Sequence, residues 1–574
     1  MSPKSMMALA VLGAMSALCL PIFAAKTLYV VPPGTSGTTP TSPYGSWETA
    51  ATNIADAITA AAGSDGGAGT GDTILVAPGT YNITSTLTPS KRRLTIRSAD
   101  RATSEEDREN TILNGGGTTA IMDITATFVS ISGFTFANGY KELASYSSSG
   151  GSAAVRIGDH YGSVSNCIFR GNKSINAPGC VQANSKWVPV VSGCIFTNNT
   201  LEVSGSDAVR GCAVYMWVNA SNANGGRIEN CYFADNHSKS TGGSSNSLAG
   251  GVVFTNYADL DNCEFGENTY TNTISMFSSG NGFNGGYVYL GDQNSPGRCS
   301  MSNCRFSGKT IDLGDEYVYG SIAYINCSDC VVSNCTFDAI EEVAGKRYNG
   351  VVAVVRSATK FIGCKFVGGN HDGSAIPSGS GSSIVQLQSG AFNSSFRNCL
   401  FANNNIKGNY YAIRQELETS AATGFSVENC TFANNTVQQT ISSSGSSTCT
   451  NYLVNSVFTS TVWLTAPGVV RKCCLKSHSD NAKISEDNFI PSEVGGDLKF
   501  VNAANRDYHL QRKSPLREKG MLLDWMLADA TDLDGNPRVV TPFGIPYSRD
   551  VSARPDLGCY ECQLPLPSLV VSFR

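Results

Sequence analysis

Asn166-Cys167-Ile168-Phe169 is the first of nine near-copies of one phrase between residues 166 and 432. The others are Gly193-Cys194-Ile195-Phe196, Asn230-Cys231-Tyr232-Phe233, Asn262-Cys263-Glu264-Phe265, Asn303-Cys304-Arg305-Phe306, Asn334-Cys335-Thr336-Phe337, Gly363-Cys364-Lys365-Phe366, Asn398-Cys399-Leu400-Phe401 and Asn429-Cys430-Thr431-Phe432. A degenerate copy precedes them, Gly133-Phe134-Thr135-Phe136, and another follows, Asn455-Ser456-Val457-Phe458. The shortest step is 26 residues, from Cys430 to Ser456, and the longest is 41, from Cys263 to Cys304. A phrase that recurs at such intervals marks stacked units, each too small to bury its own apolar face. Cys and Phe stand two apart, so a strand sends both to one side, and both are burial-prone. The leading Asn or Gly suits a bend with unusual backbone angles.

The rest of the pattern is built around that phrase. Six copies continue as Phe-x-x-Asn, placing Asn172, Asn199, Asn236, Asn268, Asn404 and Asn435 where a second column of stacked amides is expected. A further strand opens on Gly in many units, as in Gly179-Cys180-Val181, Gly211-Cys212-Ala213-Val214 and Gly286-Tyr287-Val288-Tyr289. Length variation falls between the Asn and this strand, so the insertions are expected along one edge of the stack. Two or three strands and no helix in about 32 residues predict an all-β, right-handed parallel β-helix. A β-propeller would need a regular hairpin turn in every blade, and the Asn-Gly pairs here are irregular. Eleven coils at about 4.8 Å per strand make a rod of roughly 50 Å.

Composition agrees. Charged residues are 15 % and Gly numbers 59, which suits short strands and tight turns rather than long surface helices. A net charge of −5, with no basic run longer than Lys91-Arg92-Arg93, argues against a nucleic-acid partner. Residues 1–25 read as a secretory signal: Lys4, an apolar run from Met6 to Leu20, then Ala24 and Ala25. No later stretch is long and apolar enough for a transmembrane helix, so a secreted or cell-surface location is expected. Residues 26–111 are read as an N-terminal cap and first coils. Strands are expected near Thr27–Val31, Asp72–Val76 and Arg93–Ile96, with a short cap helix between Trp47 and Ala62. The repeats occupy 112–460, and 461–574 form a closing region. Cysteines of the phrase are expected as buried free thiols, because strand spacing exceeds the Cβ separation that a disulfide prefers. Cys327 with Cys330, Cys473 with Cys474, and Cys559 with Cys562 fall outside that column and are the better disulfide or metal candidates.

Several stretches resemble known groups. Phe-x-x-Asn with the Gly150-Gly151, Gly250-Gly251 and Gly285-Gly286 strand starts resembles the repeats of polymorphic outer membrane proteins. Gly71-Asp72-Thr73-Ile74-Leu75-Val76-Ala77-Pro78-Gly79-Thr80-Tyr81 resembles the first coils of pectate-lyase-like solenoids. Asp497-Leu498-Lys499-Phe500-Val501-Asn502, Asp507-Tyr508-His509-Leu510, Asp532-Leu533-Asp534-Gly535-Asn536-Pro537-Arg538 and Asp556-Leu557-Gly558-Cys559-Tyr560-Glu561 resemble the choice-of-anchor Q domain, which closes many secreted bacterial β-helix proteins. The resemblance implies fold and compartment better than a reaction.

Candidate chemistry is sparse. The residue between Cys and Phe should point outward, so Glu264, Arg305 and Lys365 are the candidate catalytic groups for a polysaccharide lyase or hydrolase. A surface ion pair is the plainer reading of Glu264 and Arg305. Asp259 with Asp261, and Asp312 with Asp315 and Glu316, are acidic clusters of the kind that can hold Ca²⁺, although solvated turns use the same residues. Asp532, Asp534 and Asn536 resemble part of a calcium loop but lack its closing Glu; a turn is the alternative. His160 beside Asp159 and His371 beside Asp372 have no nucleophile that the sequence can place. Tyr215, Trp217, Tyr287 and Tyr289 can stack on sugar rings if they point outward, a parity the sequence leaves open. The reading reached is a glycan- or surface-binding protein without catalysis and without an obligatory cofactor, its partner a polysaccharide or cell-surface glycan. The alternative is a lyase or hydrolase working on the outside of the solenoid.

Overall fold

The computed structural model describes residues 25–563 except 64–70, 159–160, 205–208, 220–224, 242–247, 273–282, 292–297, 309–310, 313–316, 328, 344–346, 355–357, 373–381, 389–390, 392, 408–409, 419–422, 438, 446–449, 465–467, 478–481, 495, 527–529 and 540–553; the expected leader lies outside the described residues. From Thr27 the chain winds as a right-handed parallel β-helix, the sense that parallel crossovers favour. The coils together build three long sheets. Face 1 has sixteen strands, from Thr27–Val30 to Ala482–Glu486; face 2 has fourteen, from Gly79–Asn82 to Cys474–Leu475; face 3 has twelve, from Met122–Ile124 to Val462–Leu464. Among the described strands, only Phe500–Asn502 and Asp507–Leu510 pair antiparallel.

Sixteen strands at about 4.8 Å give face 1 a length of about 72 Å, beyond the expected 50 Å. The excess arises because degenerate copies still pair. Lys472-Cys473-Cys474-Leu475 is one of them: Lys472 takes the bend with φ 51°, and Leu475 stands in register with Phe458. Cys473 therefore belongs to the inner cysteine column, which the sequence alone did not show, while Cys474 points outward. The coil thus runs past residue 460 to Glu486.

Every bend of the phrase uses the left-handed region. Asn166, Asn230, Asn262, Asn303, Asn334, Asn398 and Asn429 have φ between 49° and 55°, and Gly193 and Gly363 have φ 62° and 63°. Asn is among the few side-chain-bearing residues that tolerate this conformation. Its amide also bonds along the stack, as in Asn262 Nδ2 donating to Asn230 Oδ1 at 2.7 Å. The second amide column runs in two stretches, interrupted at the three coils that lack the Asn: Asn172 donates to Asn199, Asn199 to Asn236 and Asn236 to Asn268, each at 2.9 Å, and Asn404 donates to Asn435 at 2.9 Å. Each of these buried amides also reaches a backbone carbonyl of a neighbouring coil, so no polar group of the ladder is stranded inside.

Between the ladders lies the core. Eleven Phe rings, from Phe136 to Phe458, stack one per coil with centroids 4.6–5.0 Å apart. Beside them the phrase cysteines are buried, and each Sγ donates to the carbonyl two residues before it, as Cys231 does to Glu229 at 3.2 Å. All described cysteines are free thiols, Cys327, Cys330, Cys559 and Cys562 included. Burial pushes Cys212 and Cys473 up to about 12.

The cap helix is shorter than the Ala-rich stretch, Ile54–Ala60. Asn53 caps it by accepting from the Asp56 N–H at 2.8 Å, and Ile54, Ala57 and Ile58 are its buried residues. Insertions build small parallel sheets of their own. One, including Leu248–Ala249, brings Ala249 over the outer side of face 3.

Candidate functional site

Outward positions on face 2 form one register column: Ile195, Tyr232, Glu264, Arg305, Thr336, Lys365, Leu400, Thr431, Val457 and Cys474. Glu264 and Arg305 are in-register neighbours, as expected, yet Arg305 pairs with Asp338 on the next coil at 2.7 Å. Lys365 turns towards Asp534 at 3.5 Å. Asp259 lies on the outside of face 1, around the Asn262 bend from Glu264, and Asp261 accepts from Ser302 at 2.7 Å. Two faces and three separate partnerships hold these charges, so they do not converge on one bond. Asp159, His160, Asp315 and Glu316 lie outside the described residues, as do the side chains of Asp312, His371 and Asp372.

The closing region explains the remaining candidates. It folds back over face 2, and Leu498, Leu510, Leu516 and Leu557 pack on the outward Val457 and Cys474. Tyr508, Cys559 and Tyr560 cover Leu400, Ala402 and Ala433. Gly558 has φ 92°, and a Cβ there would stand 2.4 Å from Thr431 Oγ1, so only glycine allows this approach. Asp532 accepts from the N–H groups of Asp534, Asn536 and Glu561 at 3.0, 2.9 and 3.0 Å. Both its oxygens therefore tie the turn together. Asp534 is spent on His509 Nε2 at 2.6 Å and on Lys365. His509 also contacts Asp507 at 2.6 Å; burial opposes its charge, but the two carboxylates outweigh that and hold it above the ordinary imidazole value. Arg538 is fully buried, donates to the Asp556 carbonyl at 3.0 Å and lies 3.9 Å from Glu561. The closing motifs are the polar frame of a cap.

The four candidate aromatics divide. Tyr215 and Tyr289 point out from face 3 in a column with Phe254 and Tyr324, and this column is buried beneath the inserted sheet. Tyr287 lies inside the coil, and its hydroxyl approaches the backbone of Asn268. Trp217 is half-buried and lines a cavity of about 310 Å³ with Arg156 and Lys186.

A larger groove, about 660 Å³, lies on the outside of face 1, and the sequence reading missed it. Arg227, Tyr257, Asp259, Arg298 and Ser300 line it, from three successive coils. Ser300 donates to Asp259 at 2.5 Å, and Arg227 reaches Glu229 on its own strand at 3.0 Å. Arg298 is exposed and makes no hydrogen bond or ion pair with a described residue. At the groove's edge Gly225 packs closely on the next coil, since a Cβ there would meet the Tyr257 carbonyl at 2.8 Å. The Arg227 and Arg298 positions carry no repeat signal, which is why sequence inspection passed over them.

No family model matches the chain, and no curated protein matches it. Among solved structures, the chain is similar to a pectate lyase, Pel9A, at 16 % identity over 94 % of this chain and 98 % of that one, with a TM-score of 0.31. It is also similar to pectin methylesterase PemA from Erwinia chrysanthemi, at 12 % identity over 54 % and 90 % of the two chains, with a TM-score of 0.25. The catalytic unit of a GH87 α-1,3-glucanase from Streptomyces thermodiastaticus is similar at 12 % identity, over 68 % and 64 %, with a TM-score of 0.25. These likenesses concern the solenoid fold, and no activity is carried over from them.

Proposed function

We propose that this is a secreted or surface-exposed β-helix protein that binds a polysaccharide or cell-surface glycan along the outside of face 1, without catalysis. The groove of Arg227, Tyr257, Asp259 and Arg298 carries the reading. It combines an aromatic ring, hydrogen-bonding serines and guanidinium groups on three coils of a rigid sheet, a surface suited to an extended chain of hydroxyl-bearing rings. The absence of catalysis is supported by the partnerships of Arg305 with Asp338 and of Lys365 with Asp534, which turn the outward charges of face 2 to holding coils and cap together. The surface location is supported by the leader-like residues 1–25 and by the resemblance of the closing motifs to the choice-of-anchor Q domain. Among the described residues, no helix is long and apolar enough to cross a membrane.

The test is incubation of the mature chain with plant, algal and animal polysaccharides in the presence of Ca²⁺. Affinity electrophoresis reads binding and mass spectrometry reads cleavage. Retardation by at least one polysaccharide, with its chains intact, is expected. Unsaturated or shortened oligosaccharides would replace the reading with lyase or hydrolase chemistry, and no retardation by any polysaccharide would overturn it.

A further inference from the structure

We infer that the glycan is anionic, and that a strip of arginines and stacked aromatic rings continues the groove along the edge between faces 3 and 1; this rests on the glycan reading above. The strip follows from register. Arg93, Phe128, Tyr161, Val188, Gly225, Tyr257 and Arg298 occupy the same place on seven successive coils, each just outside the face-1 pairing. Six steps of about 4.8 Å make the line about 29 Å long. Phe128 and Tyr161 stack at 4.8 Å with 8° between their planes, and Tyr161 stacks on Trp187 at 4.8 Å and 27°. Phe128 and Trp187 remain 38 % and 40 % exposed, whereas every ring of the inner Phe stack is buried.

The geometry decides which ligand this edge suits. Tyr161, stacked on both sides, and Phe128, stacked on one side and capped by arginine, have their π faces occupied and turn their edges outward. The edge is the positive part of an aromatic quadrupole, so it attracts anionic oxygen better than the C–H face of a neutral sugar. Guanidinium groups supply the rest. Arg92 and Arg93 lie 5.5 and 5.1 Å from the centre of the Phe128 ring, capping the ladder at one end. Arg227 and Arg298 stand in the groove at the other, and Lys186 precedes Trp187 beside the Trp217 cavity. The Arg227–Glu229 pair is solvent-exposed and therefore weak, so a ligand carboxylate or sulfate can compete for that guanidinium. Arg92, Arg93, Lys186, Arg227 and Arg298 outnumber the carboxylates beside them, Asp259 in the groove and Glu229 next to Arg227, so in a chain of net charge −5 this strip carries a local excess of cations. Single-stranded nucleic acid needs a run of open ring faces to stack successive bases, and here both faces of Tyr161 and of Phe128 are taken, leaving only the outer face of Trp187.

The test compares polygalacturonate (carboxylated), dextran sulfate (sulfated), neutral dextran and poly-dT as ligands of the mature chain, at low and high salt. Either or both anionic polysaccharides are expected to bind at least about tenfold more tightly than dextran, and to weaken as salt is raised. Arg227→Gln with Arg298→Gln is expected to cost about tenfold, and Trp187→Ala about threefold on long chains only, with Arg305→Gln on face 2 as the unchanged control. Circular dichroism confirms that each variant is folded. Dextran binding as tightly as polygalacturonate, without salt dependence, overturns the anionic inference and leaves the glycan reading standing. No binding to any polysaccharide overturns both. Equal affinity for poly-dT replaces the inference with an unselective polyanion surface.

Discussion

Face 2 presents the same column of outward residues to two different environments. In the middle coils Tyr232, Glu264 and Arg305 meet water; in the last coils Leu400, Thr431, Val457 and Cys474 are buried beneath the closing region. The inward residues hardly change: a Phe ring stacks in every one of these coils up to Phe458. The earliest coils form a third case, where the segment around Arg108 covers Thr135 and Arg108 reaches Asn166 and Gly193. In a solenoid the inner residue of each repeat reports the coil, and the outer one reports what lies over it.

The comparison breaks most sharply at buried charge. Arg538→Leu removes a buried guanidinium that donates to the Asp556 and Gly558 carbonyls and lies beside Glu561, and is expected to destabilise cap docking by about 3–5 kcal/mol. Arg305→Leu in the open part of the column is expected to cost no more than about 1 kcal/mol. Urea unfolding, together with limited proteolysis of residues 497–562, measures both; equal costs would mean that the cap is not a separately docked layer. Packing comes next. Leu400→Ala is expected to cost about 2–4 kcal/mol, and Thr336→Ala, at an equivalent open position, within about 0.5 kcal/mol.

Thiol labelling sharpens the same contrast. Burial raises both Cys473 and Cys474 to about 12, and neither is expected to react with iodoacetamide in the native protein. In the Arg538→Leu protein, Cys474 and Cys562 are expected to label with the cap undocked, while Cys473 stays protected inside the coil. Simultaneous labelling of all three would show cap and coil unfolding as one unit.

The smallest effect is that of pH on the seam. The protonated form of His509 is held by Asp507 and Asp534, so its folded pKa lies above the ordinary 6.5. The contribution is therefore complete below the unfolded imidazole range and is lost as pH rises through the folded value. With the side chain 40 % exposed, screening reduces it to under about 1 kcal/mol. An NMR titration of His509 that gives a value at or below 6.5 would remove the effect, and His509→Gln is expected to abolish it.

Much of the solenoid was legible because one residue type recurs at one place. The αL bends at Asn166 through Asn429, the inward Cys and Phe, and the Asn172–Asn268 amide column all follow from the phrase, since a stack repeats its solution at every coil. The aromatics resisted. Tyr287 and Tyr289 are two apart, yet one lies inside and one outside, because Tyr287 sits in the bend after Gly285, where strand alternation has not begun. Alternation can be read from a sequence only once the first residue of the strand is known.

The sequence by itself determined the coil: its parallel winding, its bends, and the ladders of Asn, Cys and Phe, because parallel in-register stacking makes each coil's requirement the same as its neighbour's. Tertiary structure alone decided what lies on the outside. The contact of Asn429 with Asp556 spans 127 residues, and the line from Arg93 to Arg298 joins residues of different kinds from seven coils. Neither has a period, because each depends on where the winding and the returning chain bring unlike residues together.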